Sequence, residues 1–254
     1  MLDRQTCIKT ATSLRFTYCK ELVILGGCLT TDADTDRAIE FALIRARGQW
    51  IQSMKLLCRR RVPISKRLQN YYATVGKSAL HGLEGLPLTQ TALKSIMSFD
   101  RSCLRAMIAM VKREGEGWVD FRRRQNTLLR RLFTKLGLQE LAAQLLAKQH
   151  GWAEHVTRMS RNSLAKRCEV AGCWSETGTL EEWRCTQAIN SQLDPSNRTK
   201  WRHSKKGCSP HWESNLVKVF GDLWRQQAVD RWSWRASRAR FVWECCNNLF
   251  GIGH

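Results

Sequence analysis

Three constellations in this 254-residue chain have residue types suited to chemistry. They are a run of aspartates, a cysteine–histidine cluster and a glycine–lysine–serine step. Asp32, Asp34 and Asp36 alternate as the carboxylates of a calcium loop do. Such a loop also needs a turn glycine at its sixth position and a bidentate Glu at its twelfth. Arg37 and Leu43 stand there instead. The run reads better as a helix start, because carboxylates in a first turn favour the positive end of the helix dipole. Cys168, Cys173, Cys185, His203, Cys208 and His211 supply enough ligands for a structural zinc. Their spacings fit no standard zinc pattern, and reduced cysteines in a loop are the preferred reading. Gly76-Lys77-Ser78 has the form of the end of a phosphate-binding loop, but Tyr71 occupies the position of its first glycine. The chain has no Asp-Asp pair, no HExxH and no Gly-x-Ser-x-Gly. No catalytic residue, cofactor or metal is expected.

The stronger signal is charge. The chain carries 42 basic and 22 acidic residues, a formal charge of +20. The excess is +7 over residues 1–100 and +13 over the rest, so no single tail explains it. Residues 41–83 contain no acid at all, yet hold Arg45, Arg47, Lys55, Arg59, Arg60, Arg61, Lys66, Arg67 and Lys77. A surface of one sign points to an anionic partner, and a nucleic-acid backbone fits best. Anionic membrane is the rival. No apolar run approaches the roughly 18 residues of a membrane span, and Arg4, Lys9, Arg15 and Lys20 break up any signal peptide. The 11 scattered cysteines do not resemble a secreted disulfide framework. The expectation is an intracellular protein, in the nucleus or cytoplasm, with no membrane partner.

Helices must position these charges. Ile39, Leu43, Ala46, Trp50, Met54 and Leu57 recur at spacings of three and four, predicting an amphipathic helix after Asp36. Pro63 can start another, with Leu68, Tyr71, Tyr72 and Val75 inward. Thr89 caps a third, carrying Leu93, Ile96, Met97, Leu104, Met107 and Ile108. In Trp118–Leu136, Trp118, Phe121, Leu128, Leu129, Leu132, Phe133 and Leu136 share one half of the wheel and Arg123, Arg124, Arg130, Arg131 and Lys135 the other, with Arg122 the exception. Most such faces are merely solvated. This one carries five basic residues with no acid among them, although like charges at i,i+4 cost roughly 0.2–0.5 kcal/mol each. Leu138–Ala147 and Trp152–Met159 read as two short helices parted by Gly151. Helices return with Leu216, Val219, Phe220, Leu223 and Trp224. Asp230 caps a last one, with Val229 packing on Trp234 as a staple. Eight of the 11 tryptophans follow residue 170; core packing is the commoner role for such residues, and base stacking the functional alternative. Near the N-terminus, Leu14–Tyr18 and Glu21–Thr31 predict a hairpin about Cys19-Lys20. The expected class is mainly α, with four segments: a β-hairpin over 1–31, a helical domain over 32–160, an irregular linker over 161–210 and Trp-rich helices over 211–254.

Leu22-Val23-Ile24-Leu25-Gly26, followed by the long helix after Asp36, is similar to the aromatic-x-Tyr-Leu-Gly primer-grip hairpin of non-LTR retrotransposon reverse transcriptases. Leu80-His81-Gly82-Leu83-Glu84 resembles the family's Leu-Tyr-Gly-x-Glu, and Trp152–Met159 its Trp-Ala-Gly-His-Val-x-Arg-Met. Trp224, Ala228, Asp230, Arg231 and Trp234 resemble a Trp-x3-Ala-x-Asp-Arg-x2-Trp step, with His211-Trp212-Glu213 before it. The likeness covers about residues 16–245 with gaps, and Trp152–Met159 is its most specific part. The departures are His81 for Tyr, Glu154 for Gly, and a basic linker reduced to Lys205-Lys206-Gly207. The resemblance implies a helical thumb holding a template–primer duplex. It also implies that the polymerase aspartates belong to palm motifs upstream of residue 1, so that this chain cannot polymerise alone and a separate palm is a possible partner. The expected function is non-catalytic binding of RNA, RNA–DNA or DNA duplex backbone through Arg45, Arg47, Lys55, Arg59, Arg60, Arg61, Lys66, Arg67, Arg123, Arg124, Arg130, Arg131 and Lys135. The alternative is a basic helical interaction or structural domain with no nucleic-acid role.

Overall fold

A computed structural model describes residues 7–9, 15–17, 21–24, 27–30, 35–160, 163, 212–249 and 251. The cysteine–histidine cluster from Cys168 to His211 lies outside the described residues, as does the 161–210 segment except Ser163. Helix accounts for 74% of what is described, so the protein is mainly α with a small antiparallel β element at its N-terminus.

The strands form two hairpins. β1 (Cys7–Lys9) pairs with β2 (Arg15–Thr17), Ile8 opposite Phe16. β3 (Glu21–Ile24) pairs with β4 (Gly27–Thr30), Glu21 opposite Thr30. The predicted pairing of the second and third strands about Cys19-Lys20 is therefore not formed. In the second hairpin Ile24 stands opposite Gly27.

The helices follow in order. They are α1 (Thr35–Leu57), α2 (Ile64–Tyr71), α3 (Lys77–Leu80), α4 (Gln90–Ile108), α5 (Trp118–Leu136), α6 (Leu141–Arg158), α7 (Ser214–Phe220), α8 (Trp224–Val229), α9 (Arg231–Ala236) and α10 (Arg238–Glu244). A π-helical turn, Tyr72–Gly76, links α2 to α3. Gly76-Lys77-Ser78 thus lies in helix, as its rejection as a phosphate loop requires.

The chain divides into two compact units. Unit 1 is Met1–Leu83 with Thr91–Gln144; unit 2 is Glu84–Gln90 with Leu145–His254. The division cuts across the 32–160 segment instead of following its ends. The reason is visible in the hydrogen bonds: Gln149 Nε2 donates to the Leu86 and Trp212 carbonyls (3.4 and 2.7 Å), and Asn215 Nδ2 to the Leu88 carbonyl (3.4 Å). These tie residues 86–88 to the C-terminal helices.

The core of unit 1 is built on the apolar stripes of α1, α2, α4 and α5. Ile39, Leu43, Ala46, Leu57, Leu68, Tyr71, Leu93, Ile96, Leu104, Phe121 and Leu129 are buried. Tyr71 stands edge-on to Trp50 and Tyr72, and Tyr72 reaches Phe133. Gly137, in the left-handed conformation (φ 61°), ends α5; Leu138 N–H then returns to the Phe133 carbonyl at 3.0 Å.

Unit 2 has an aromatic core. The His150 ring stacks on Trp234 at 4.3 Å, with Phe220, Phe241 and Trp224 around them. Trp234 Nε1 donates to the His150 carbonyl (3.0 Å). The predicted break at Gly151 is absent: α6 runs through it, with Leu145, Leu146, His150, Ala153 and Val156 buried. A glycine inside a helix costs about 1 kcal/mol, less than burying that face contributes. Asp230 caps α9, accepting from Trp232 N–H (3.1 Å) and the Ser233 hydroxyl. Val229, expected to staple onto Trp234, is 65% exposed, so little of it is covered there.

Candidate nucleic-acid interface

Ten of the thirteen basic residues expected to meet phosphate are exposed: Arg47, Lys55, Arg59, Arg60, Arg61, Lys66, Arg123, Arg130, Arg131 and Lys135. All thirteen belong to unit 1. Eight of the ten make no ion pair or hydrogen bond among the described residues; Arg60 and Arg123 are the exceptions. Arg123 meets Asp120 at 3.3 Å in a pair so exposed that it contributes little, about 0–1 kcal/mol.

Three residues are corrected by their surroundings. Arg67 is buried. Its Nη1 donates to the carbonyls of Leu57 (3.2 Å) and Met107 (2.7 Å), and its Nε to that of Val62 (3.0 Å). Arg124 is half-buried: Nε and Nη2 grip the Glu116 carboxylate at 2.8 and 2.7 Å, and Nη2 also reaches the Val111 carbonyl at 3.0 Å. Arg45 is half-buried and donates to the Ser78 carbonyl at 2.8 Å. These guanidiniums serve the fold.

For Arg67 and Arg124 the physical cause is the end of α4 and the segment just after it. A helix leaves its last carbonyls without intrahelical partners, and its C-terminus carries partial negative charge. Arg67 takes the carbonyl of Met107, Arg60 that of Ala109 (3.2 Å) and Arg124 that of Val111, all within five residues. The same contacts draw the Arg59–Arg61 loop and the first half of α5 against one short segment. Lys112 and Arg113, both exposed, extend the basic surface there, with Lys112 Nζ 5.4 Å from the Trp118 ring.

On α5 the two faces are not wholly of one kind: Asp120 falls among the basic residues at 100° per residue and pairs with Arg123, so that face is not free of acid, and Trp118 is exposed. Phe121, Gln125, Leu129 and Phe133 are buried. The opposite side carries Arg123, Arg130 and Arg131 with Thr127 and Thr134, whose hydroxyls donate back to the Arg123 and Arg130 carbonyls (3.0 and 3.1 Å). Asp120 is the only acid in this helix. In the segment between α4 and α5, Glu116 is held at a pKa of about 2 by its Arg124 hydrogen bonds, then by the Arg113 N–H. It is therefore ionised and engaged at any ordinary pH.

Among the described residues no group of three or more His, Cys, Asp or Glu could hold a metal ion. No described helix is long and apolar enough to cross a membrane. Of the five described tryptophans after residue 170, Trp224 and Trp234 are core, as the commoner role for such residues suggests, while Trp232 and Trp243 are exposed.

Unit 2 holds a second basic cluster that periodicity and charge counts did not single out. Glu154, 4% exposed, receives Arg158 at 2.9 Å and Arg231 and Arg235 at 3.3 Å each. Burial pushes the Glu154 pKa up, but hydrogen bonding from Arg235 and the charges of Arg235, Arg158 and Arg231 outweigh it and hold the carboxyl below its usual range. The available signal was a pair of i,i+4 spacings, Glu154/Arg158 and Arg231/Arg235.

No family model matches the chain. Neither the curated proteins nor the solved structures compared with it contain a match.

Proposed function

We propose that this chain is a non-catalytic nucleic-acid-binding protein that holds the backbone of an RNA, RNA–DNA or DNA duplex largely without regard to sequence. The observation that carries the reading is the set of eight exposed basic side chains in unit 1 with no partner among the described residues: Arg47, Lys55, Arg59, Arg61, Lys66, Arg130, Arg131 and Lys135. Exposed cations of one sign attract an anionic backbone, whose binding releases its counterions. The motif likeness to the thumb end of non-LTR reverse transcriptases supports the same reading. In that case polymerisation belongs to a separate palm, and this chain supplies grip. Phosphate contacts fix position and carry no sequence information.

Binding to two RNA–DNA hybrids of equal length and unrelated sequence tests this. Equal affinities are expected, and Arg59, Arg60 and Arg61 changed together to Ala should weaken both alike. Failure to bind either hybrid overturns the proposal; a marked preference for one removes its sequence-independent part.

One observation favours the second reading, a basic protein-interaction domain. α1 exposes Ile44, Ile51, Met54 and Leu56 beside Arg47 and Lys55. A protein partner covering that side would protect these residues in hydrogen exchange, and a duplex bound through the Arg59–Arg61 loop would leave them open.

A further inference from the structure

Glu154 in unit 2 is one buried carboxylate surrounded by three guanidiniums. A carboxylate balances one of them. The cluster therefore keeps an excess of two positive charges, and among the described residues no second acid pairs with Arg158, Arg231 or Arg235. Each guanidinium has five N–H donors in a fixed fork, and the contacts to Glu154 occupy only a few of the fifteen. The three side chains remain 36%, 54% and 42% exposed. Glu154 accepts a hydrogen bond from Arg235 and forms ion pairs with Arg158 and Arg231, so it gathers the three arginines while each stays partly exposed. That is the donor geometry that binds a phosphate group bidentately.

The neighbouring residue identifies which phosphate. On α9, Arg231 and Arg235 lie about 40° apart around the helix axis, and Trp232 about 60° beyond Arg235. Trp234 points the other way, into the core at 1% exposure. Trp232 is 81% exposed. Large aromatic rings are seldom left so open in a folded protein. A guanidinium cluster beside an open indole is the pairing by which proteins hold unpaired nucleotides, with phosphate on the cations and base on the ring. Bases inside a duplex are already stacked and cannot reach such a ring.

We infer that Arg158, Arg231 and Arg235, anchored on Glu154, bind a phosphate of a single-stranded nucleic-acid segment, and that Trp232 stacks on the adjoining base. The inference deepens the proposed function and rests on it for the class of ligand, but it concerns unit 2 and a single strand where the former concerns unit 1 and a duplex.

The test uses the full chain with three RNA–DNA probes: a blunt hybrid, the same hybrid with an unpaired overhang, and the overhang alone. The overhang should tighten binding by about tenfold, the order expected for one stacked base. Trp232→Ala should abolish that gain and leave blunt-hybrid affinity unchanged; so exposed a side chain is not needed for folding. Arg231→Gln with Arg235→Gln should do the same, with the melting temperature measured alongside. An overhang gain that survives Trp232→Ala overturns the inference. So does binding of phosphopeptide that needs the arginines while no oligonucleotide binds. If the blunt hybrid does not bind but the lone overhang binds in a Trp232-dependent way, this inference stands and the unit 1 reading falls. If nothing binds, both fall.

Discussion

Arg67 illustrates how a charge can be read correctly in type and wrongly in place. It sits in an acid-free stretch, where sequence gives every basic residue the same standing. Its three backbone partners, Leu57, Val62 and Met107, come from segments up to 40 positions away, and only the fold assembles them. Arg67→Ala leaves those carbonyls without their donor in a buried place, so a loss of about 2–4 kcal/mol is expected in chemical denaturation. Arg67→Lys should recover little, because one ammonium cannot reproduce the fork. Asp100 makes a different demand. It is fully buried, accepts from the Tyr71 hydroxyl and from Leu141 N–H (2.9 Å each), and has its pKa pushed to about 7 by burial, with the hydrogen bonds opposing. An unfolded Asp titrates near 3.8. The folded state therefore holds the proton more tightly, and this contribution is complete below about pH 4. It is lost as pH rises through about 7, at up to ~1.4 kcal/mol per pH unit. In unit 2, burial and the charge of Arg238 lower His150 from 6.5 to about 4. That contribution has the opposite sign: it is complete above 6.5 and lost as pH falls toward 4. Melting wild type and Asp100→Asn between pH 4.5 and 8 separates the two, since only the falling slope toward pH 7 should disappear in the variant.

At the scale of elements, periodicity read the helices well, α5 at both ends, and misplaced one stop, at Gly151. The stripes of α1, α4 and α5 have their apolar side buried as expected, because a 3.6-residue repeat reports which side packs inward. On α1 the stripe weakens toward its C-terminal half, where Met54 is exposed. Gly151 gave a false stop, since a glycine signals a break only where the flanking sides have nothing to bury. The strand partners were misassigned because short strands carry little register information in sequence: β2 pairs with β1 and β3 with β4. The end of α4 offers the sharpest test. Ala109 follows it with φ 46°, a left-handed conformation that disfavours a side chain, while its carbonyl accepts from Arg60. Ala109→Gly removes that penalty and should stabilise the protein by about 0.5–1 kcal/mol. A lower melting temperature would show that the Ala109 methyl packs usefully there.

For the whole molecule, the division into units was hidden from the sequence. Residues 84–90 join unit 2 through Gln149 and Asn215, and no local pattern announces bonds across 63 and 127 positions. The basic character was legible, but the sorting of its members was not: solvent, helix ends and buried carboxylates all recruit arginine, and only three-dimensional placement tells them apart. The zinc question concerns Cys168, Cys173, Cys185, His203, Cys208 and His211, and metal analysis of the purified chain answers it directly; reduced loop cysteines predict no bound zinc. The central claim is that the exposed cations of unit 1 with no partner among the described residues meet phosphate. The most direct measurement is the affinity for a blunt RNA–DNA hybrid across a salt series, for wild type and for Arg59, Arg61 and Lys66 changed together to Ala. Each phosphate neutralised contributes about −0.9 to the slope of log K against log salt. The account predicts a steep negative slope for wild type, a shallower one for the variant by roughly 0.9 for each phosphate no longer neutralised, and equal melting temperatures. A wild-type slope near zero, or one the variant leaves unchanged, would contradict it.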